Sequence, residues 1–145
     1  MKPILRERGI CMLKFHIRIV VLLAAVCCMF AGCATVDNNY LRPEDFAGYL
    51  TRAGIKVDGV RPLLPDPFRA TSGCGIMIAG SEIGVYKYDR TSRVQRKRLE
   101  RLAEQGKTYI QGIPYPIEVR GSFMIMGLEK NKQKRAILRV FDTFK

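Results

Sequence analysis

An uninterrupted apolar run from Ile19 to Ala34 divides the chain into two parts that have to be considered separately. Basic residues precede the run, and small residues close it before Cys33. A cationic start, a short apolar segment and small residues before a cut are the layout of a secretory signal. Folding is therefore confined to the residues after Cys33, which are enough for one compact domain.

The stretch that closes the run, Phe30-Ala31-Gly32-Cys33, resembles the lipobox of bacterial lipoproteins. In that family the cysteine receives a lipid on its sulfur and becomes the new N-terminus, so the resemblance implies lipidation of Cys33. Two or more acyl chains anchor a protein stably in a membrane. Because Ala34 rather than an aspartate follows, the resemblance implies the outer membrane of a Gram-negative host, with the domain facing the periplasm. In a host with one membrane it implies the outer cell face.

Other fates of this segment stay open. Cleavage by an ordinary signal peptidase after Ala34 would release a secreted protein, and a retained run would act as an anchor. A transmembrane helix, however, needs about 20 apolar residues, and this run is shorter. Translation could start at Met12 instead of Met1, which leaves the mature protein unchanged. The predicted boundaries are a signal over residues 1–32, the lipidated cysteine and a polar tether over 33–42, and one globular domain over 43–145.

The charge of the chain is strongly positive, with 25 Lys and Arg against 13 Asp and Glu. Part of this excess lies in the signal, and the remainder is below what a dedicated nucleic-acid binder carries. An envelope location also argues against nucleic acid. Besides the membrane held through the lipid, the expected partners are an envelope protein, an anionic lipid or a glycan. The alternative is that these side chains only solvate the surface.

The residue inventory excludes most catalytic chemistry. The only histidine, His16, lies in the signal, so histidine-based triads and histidine zinc sites are excluded for the mature domain. Cys74 is the one cysteine after Cys33, and we expect it to be buried. No cofactor or metal site is predicted. The remaining catalytic option is a pair of carboxylates acting on glycan, for which the candidates near strand ends are Glu82, Asp89, Glu118 and Glu129.

The first part of the domain has clear helical and irregular segments. Pro43 and the acidic residues after it predict a helix over Pro43–Ala53, ended by Gly54. Alternating apolar residues predict a strand within Ile55–Val60. Three prolines then predict a stiff, irregular loop over Arg61–Thr71, packed down by Leu63, Leu64 and Phe68.

Two hairpins, each followed by a basic helix, are predicted next. Gly80-Ser81 predicts a tight turn between strands Gly75–Ala79 and Glu82–Tyr88, and Gly121-Ser122 predicts another between Tyr115–Arg120 and Phe123–Leu128. The helices are predicted over Ser92–Gln105 and Asn131–Phe144. The order strand, Gly-Ser turn, strand, basic helix occurs twice, which suggests two ββα units. Gene duplication and chance are both open as explanations of this repeat. The predicted fold class is α+β, a small antiparallel sheet of four to five strands with about three helices.

Three features are candidates for binding, and each also has a structural explanation. The second helix is cationic, the tyrosines could be exposed on the sheet, and Gly112–Pro116 could be a rigid loop that presents Tyr115. Solvated charge, cross-strand packing and a plain connector are the respective alternatives. The residues of this candidate binding surface are Arg90, Arg93, Arg96, Lys97, Arg101, Tyr86, Tyr88 and Tyr115. The sequence thus predicts a membrane-anchored envelope lipoprotein that serves as an accessory, structural or binding module, with a glycan-directed enzyme as the alternative.

Overall fold

Six antiparallel strands form one sheet within residues 37–145, the part of the chain that the computed structural model describes. The predicted signal and Cys33 lie outside the described residues. The strands are β1 (Gly59–Pro62), β2 (Ser72–Ile78), β3 (Ser81–Lys87), β4 (Lys107–Ile110), β5 (Ile113–Arg120) and β6 (Phe123–Met126). Their spatial order is β1-β2-β3-β6-β5-β4, and all pairs are antiparallel.

The three helices of the described residues are α1 (Asp45–Arg52), α2 (Arg93–Gln105) and α3 (Lys134–Asp142). All three lie where the sequence predicts helices, and α3 is shorter than predicted. The α+β class is confirmed, with six strands rather than four or five. A 3-10 helix over Asp66–Phe68 interrupts the proline-rich loop, in which Leu63 and Phe68 are partly buried while Leu64 is 75% exposed.

The sheet carries a hydrophobic core on each face. Helices α1 and α3 and the residues after α3 cover one face. There the rings of Phe144 and Phe141 pack at centroid distances of 5.1 and 5.5 Å from Phe46. Helix α2 and the 3-10 segment cover the other face, where Leu99 packs with Tyr86, Tyr88 and Met124. The units β2-β3-α2 and β5-β6-α3 have the predicted order, but their helices lie on opposite faces.

The first predicted turn lies one residue earlier than expected. Ile78 pairs with Ser81, so the turn residues are Ala79 and Gly80, with φ of 51° and 77°. Positive φ at both positions is the type I′ geometry that matches strand twist. The Oδ2 of Asp58 accepts a hydrogen bond from the Ala79 N–H at 3.0 Å, and this bond holds a non-glycine residue in the left-handed region.

The strand predicted within Ile55–Val60 begins later, at Gly59. Ile55 is 5% exposed and lies in the core below α1. Its backbone N–H donates to the Leu50 carbonyl at 3.0 Å, which closes the end of α1. The apolar alternation therefore serves core packing in a connecting segment.

The rigid loop predicted over Gly112–Pro116 is instead a hairpin. Gln111 and Gly112 form its turn with φ of 50° and 80°, and β5 begins at Ile113. Prolines fit because the ladder alternates: Ile117 donates its N–H to Gly106 on the β4 side, so the nitrogens of Pro114 and Pro116 face away from β4. β6 does not pair with β5 at these residues. The prolines therefore end the β5–β6 pairing without leaving a donor unpaired.

Candidate functional site

Helix α2, which carries most of the predicted cationic surface, is fixed at both ends by local signals. The Ser92 hydroxyl accepts a hydrogen bond from the Gln95 N–H at 3.5 Å, and Gly106 ends the helix with φ of 61°. Leu99 is 4% exposed and Leu102 packs beside it on the sheet. These contacts fix which side of the helix each arginine occupies.

The helical step of 100° per residue divides the cations of α2 among three directions. Arg93 and Lys97 are exposed on the outer side. Arg96 lies on one flank, where it lines a cleft of about 260 Å³ with Arg90 and Glu100. Arg98 and Arg101 lie on the other flank. The predicted binding surface is therefore not one continuous patch.

The second flank forms what we call the three-arginine cleft, a space of about 360 Å³. Arg69 from the end of the 3-10 helix faces Arg98 and Arg101 of α2 across it. None of the described residues that line this cleft is acidic. Its other lining residues are Pro67, Phe68, Tyr88, Leu102, Gln105 and Thr108.

Hydrogen bonds between the 3-10 segment and α2 fix the geometry of this cleft. Arg69 has φ of 50°, and its carbonyl accepts hydrogen bonds from Gln95 Nε2 at 3.1 Å and from Arg98 Nη1 at 3.4 Å. The Tyr88 hydroxyl donates to the Phe68 carbonyl at 3.1 Å. The two walls are therefore tied to each other and to the floor.

The sequence did not point to Arg69 or Arg98 as site residues. Arg98 belongs to the cationic helix, but only the packing of Leu99 and Leu102 distinguishes its flank from that of Arg96. Arg69 lies in the proline-rich loop and reaches α2 through tertiary folding. A cation directly after an Asp-Pro-Phe turn is the only local signal, and it is a weak one.

Two of the predicted surface tyrosines are in the core. Tyr86 is 6% exposed and Tyr88 is fully buried, because residues alternate between the two faces of β3 and both rings lie beneath α2 and Phe68. Burial raises the pKa of Tyr86, and it raises that of Tyr88 to about 12, so both hydroxyls keep their protons at neutral pH. Neither ring can stack on an external ligand, although Tyr88 contributes to the floor of the cleft.

Tyr115 is half-buried and lines a third cleft, of about 480 Å³, with Glu82, Glu129 and Lys130. This cleft opens where Pro116 ends the β5–β6 pairing. Glu82 is already engaged there, because both of its carboxylate oxygens accept hydrogen bonds from Arg61, at 2.5 and 2.8 Å.

The four candidate carboxylates are not brought together as a set. Glu118 pairs with Ile125, a residue of the core under α1 and α3, whereas Glu82 neighbours Ile83 of that core and so points to the opposite face. Asp89 accepts hydrogen bonds from the hydroxyl and N–H of Thr91, which lower the pKa of its carboxyl. It therefore acts as a turn-forming acceptor.

The start of the domain is held by two consecutive asparagines within the predicted tether. Asn38 is fully buried; its Oδ1 accepts from the Ser122 N–H at 2.7 Å, and its Nδ2 donates to the Phe144 carbonyl at 2.9 Å. Asn39 accepts from the Arg90 N–H and the Ser122 hydroxyl, both at 3.0 Å. The structure thus includes these residues in the domain.

Comparison with protein-family models, with curated proteins and with solved structures gives no match. Within residues 37–145, no helix is long and apolar enough to cross a membrane. The same residues contain no group of three or more His, Cys, Asp or Glu that could hold a metal ion. The functional argument therefore depends on the geometry of this chain.

Proposed function

We propose that the protein is a lipid-anchored module of the bacterial cell envelope that binds another envelope component and has no catalytic role. Cys33 would carry the lipid, as the lipobox-like ending Ala31-Gly32-Cys33 suggests. The observation that carries this proposal is the position of Asn38. A folded domain begins, with a buried residue, directly after the signal-like segment.

The short connection restricts how such a domain sits at a membrane. The chain from Cys33 to Asn38 spans at most about 17 Å when fully extended. A domain of this size is about 30 Å across. The end of the domain that contains Asn38 and the β5–β6 turn would therefore face the lipid surface, with the far end exposed to the periplasm or medium.

The charge distribution supports a binding role. Arg93 and Lys97 on the outer side of α2 are exposed and have no ion-pair partner among residues 37–145. Exposed cations that are not neutralised locally attract anionic partners and raise the rate of encounter. An acidic face of an envelope protein fits this outer side of α2.

The glycan-directed enzyme has weaker support. The β-sheet register places Glu82 and Glu118 on opposite faces. These two residues therefore cannot form the carboxylate pair that a glycosidase requires. In the third cleft Glu82 shares the lining with Glu129, but Glu82 is bound by Arg61. No further observation favours hydrolysis.

Metabolic labelling with an alkyne analogue of palmitate tests the anchor. The wild-type protein should take up the label and fractionate with membranes, and Cys33→Ala should lose both properties. Cys74→Ala is the matched control, since it removes the other cysteine after the signal, which is buried. Label that persists in Cys33→Ala would contradict the proposal.

Crosslinking in intact cells tests the binding role. We expect a recurrent envelope partner that disappears when Arg93 and Lys97 are both changed to alanine. Changing the flank residues Arg98 and Arg101 to alanine removes the same charge and should leave that partner in place. An identical set of crosslinked species in all variants would count against the outer side of α2 as the binding surface.

A further inference from the structure

The three-arginine cleft is positively charged, and no acidic residue is among the described residues that line it. Arg69, Arg98 and Arg101 line one space of about 360 Å³. Within residues 37–145 the ion pairs are Lys56–Asp58, Arg61–Glu82 and Arg120–Asp142, and none involves these arginines. Arg69 and Arg101 are exposed and Arg98 is half-buried. A bound anion would relieve the repulsion between like charges that share one cleft.

Two of the three guanidinium groups are partly held in place before any ligand arrives. Arg98 donates to the Arg69 carbonyl, and Arg101 donates through Nε to the Lys97 carbonyl, each at 3.4 Å. Each guanidinium has five N–H donors, so most donors remain available. Preorganised donors lose less conformational entropy when they bind a ligand.

The number and type of donors indicate the chemistry of the ligand. A carboxylate brings one negative charge and two oxygens, whereas a phosphate monoester brings a charge near −1.5 to −2 and three strong acceptor oxygens. Arginine forks match phosphate oxygens in bidentate pairs. Three arginines around one space therefore fit a phosphate monoester better than a carboxylate.

The floor and the size of the cleft restrict the rest of the ligand. Phe68, Tyr88 and Leu102 give the floor an apolar and aromatic character. A volume of about 360 Å³ is near the lower end of small-molecule sites. Such a space accepts a phosphate and one small attached group, and it does not enclose a polymer.

We propose that the three-arginine cleft binds a phosphate monoester carried on a small uncharged group, either a free sugar phosphate or the headgroup of a phosphate-bearing lipid. Arg69, Arg98 and Arg101 hold the phosphate oxygens, and the attached group lies over Phe68 and Leu102. This site is independent of the lipid anchor, because it is complete within the folded domain.

The first cleft of α2 shows why the flanks differ. Arg90 and Arg96 line that cleft together with Glu100, whose carboxylate offsets part of their charge. A bound anion there would be repelled by the Glu100 carboxylate, whereas no acidic residue within 37–145 lines the three-arginine cleft. Arg96 therefore supplies a control position on the same helix.

Isothermal titration calorimetry tests the site. The sample is the mature protein isolated from cells with its native N-terminus and kept in detergent micelles. The probes are glucose 1-phosphate, phenyl phosphate and inorganic phosphate, with glucose as the uncharged control. Phosphate monoesters should bind and glucose should not. Loss of one charged hydrogen-bonding partner should weaken binding about tenfold. We expect this effect for Arg101→Ala and a larger one for Arg98→Ala with Arg101→Ala.

Two further variants separate binding from folding. Arg69→Gly removes one guanidinium at a position where φ of 50° favours glycine, so it should weaken phosphate binding while the melting temperature holds or rises. The double change of Arg93 and Lys97 to alanine removes two charges outside the cleft and should change affinity less than twofold. An equal loss of affinity in this variant and in the Arg98 and Arg101 variant would overturn the proposal, as would a lack of binding by wild type.

The source of the phosphate is distinguished by the micelles. Protein in micelles that contain phosphatidic acid should lose its response to glucose 1-phosphate if the site takes a lipid headgroup. It should keep that response if the site takes a free sugar phosphate. Both results support a phosphate monoester site. The palmitate label on Cys33 is measured separately, so failure of the anchor and failure of this site are distinguishable.

Discussion

Asn38 accepts a hydrogen bond from the backbone N–H of Ser122 at 2.7 Å, across a sequence separation of 84 residues. The same side chain donates to the carbonyl of Phe144. One buried amide thus joins the first residues of the domain to the β5–β6 turn and to the C-terminal segment. Any force on the N-terminal connection would therefore act first on this contact.

Replacement of Asn38 by alanine should lower the free energy of unfolding by about 2–6 kcal/mol. The change leaves the Ser122 N–H and the Phe144 carbonyl buried without partners, and each unsatisfied group costs about 1–3 kcal/mol. The urea midpoint measured by circular dichroism checks this. Asn39→Ala is the control and should cost less, because its contacts are only partly buried. Equal losses for the two variants would contradict the special role of Asn38.

Replacement of Ala79 by glycine should stabilise the β2–β3 hairpin by about 0.5–1 kcal/mol. Ala79 has φ of 51°, and a residue with a Cβ pays a steric penalty of about 1–2 kcal/mol there, part of which the added unfolded-state entropy of glycine offsets. The thermal midpoint measures the effect. Gly80→Ala is the converse control, and it should destabilise the domain because φ is 77° at that position.

Local signals predicted the parts of this fold that depend on neighbouring residues. Ser92 and Gly106 set both ends of α2 because a cap bonds within one turn of the helix. Gly121-Ser122 set the second hairpin because a two-residue turn fixes its own register. These elements could be placed from the sequence without knowledge of their tertiary partners.

The elements that were missed depend on distant partners. Gly112–Pro116 was predicted as a rigid loop, whereas it forms the turn and first part of β5 in the β4–β5 hairpin. Prolines disfavour strands in general, and Pro114 and Pro116 are acceptable because β6 does not pair with β5 at these residues. The three-arginine cleft needs Arg69 to meet Arg98 across a separation of 29 residues. Sequence periodicity assigns a residue to a face of its own element and cannot state which segment packs opposite.

Replacement of Gly73 by alanine should destabilise the domain by about 1–3 kcal/mol. A Cβ there would lie 2.7 Å from the Tyr86 ring, which is fixed by an edge contact with Phe68 at a centroid distance of 4.5 Å. Forced repacking of a filled core has a cost of this size. Chemical denaturation measures it. Gly59→Ala, where nothing lies within 4 Å of a Cβ, should be near neutral, and a similar loss there would contradict the steric argument.

Cys74 is fully buried in the core beneath α1, and burial raises the pKa of its thiol from 9.0 to about 12. The thiolate is the reactive form of cysteine. A thiol that stays protonated and inaccessible does not exchange with disulfides or react with alkylating agents. In the unfolded chain the same thiol titrates near its ordinary value.

The stability of the domain should therefore fall as pH rises from about 9 toward 12. In this window the unfolded chain loses the Cys74 proton while the folded domain keeps it, so the unfolded state is favoured by up to about 1.4 kcal/mol per pH unit. Cys74→Ala should reduce this slope of the unfolding free energy, although cavity formation lowers its absolute stability. In that variant the buried Tyr88, whose pKa is also raised to about 12, still lowers the stability as pH rises above about 10. Urea titrations at several pH values measure both slopes, and identical slopes in wild type and variant would refute the assignment to Cys74.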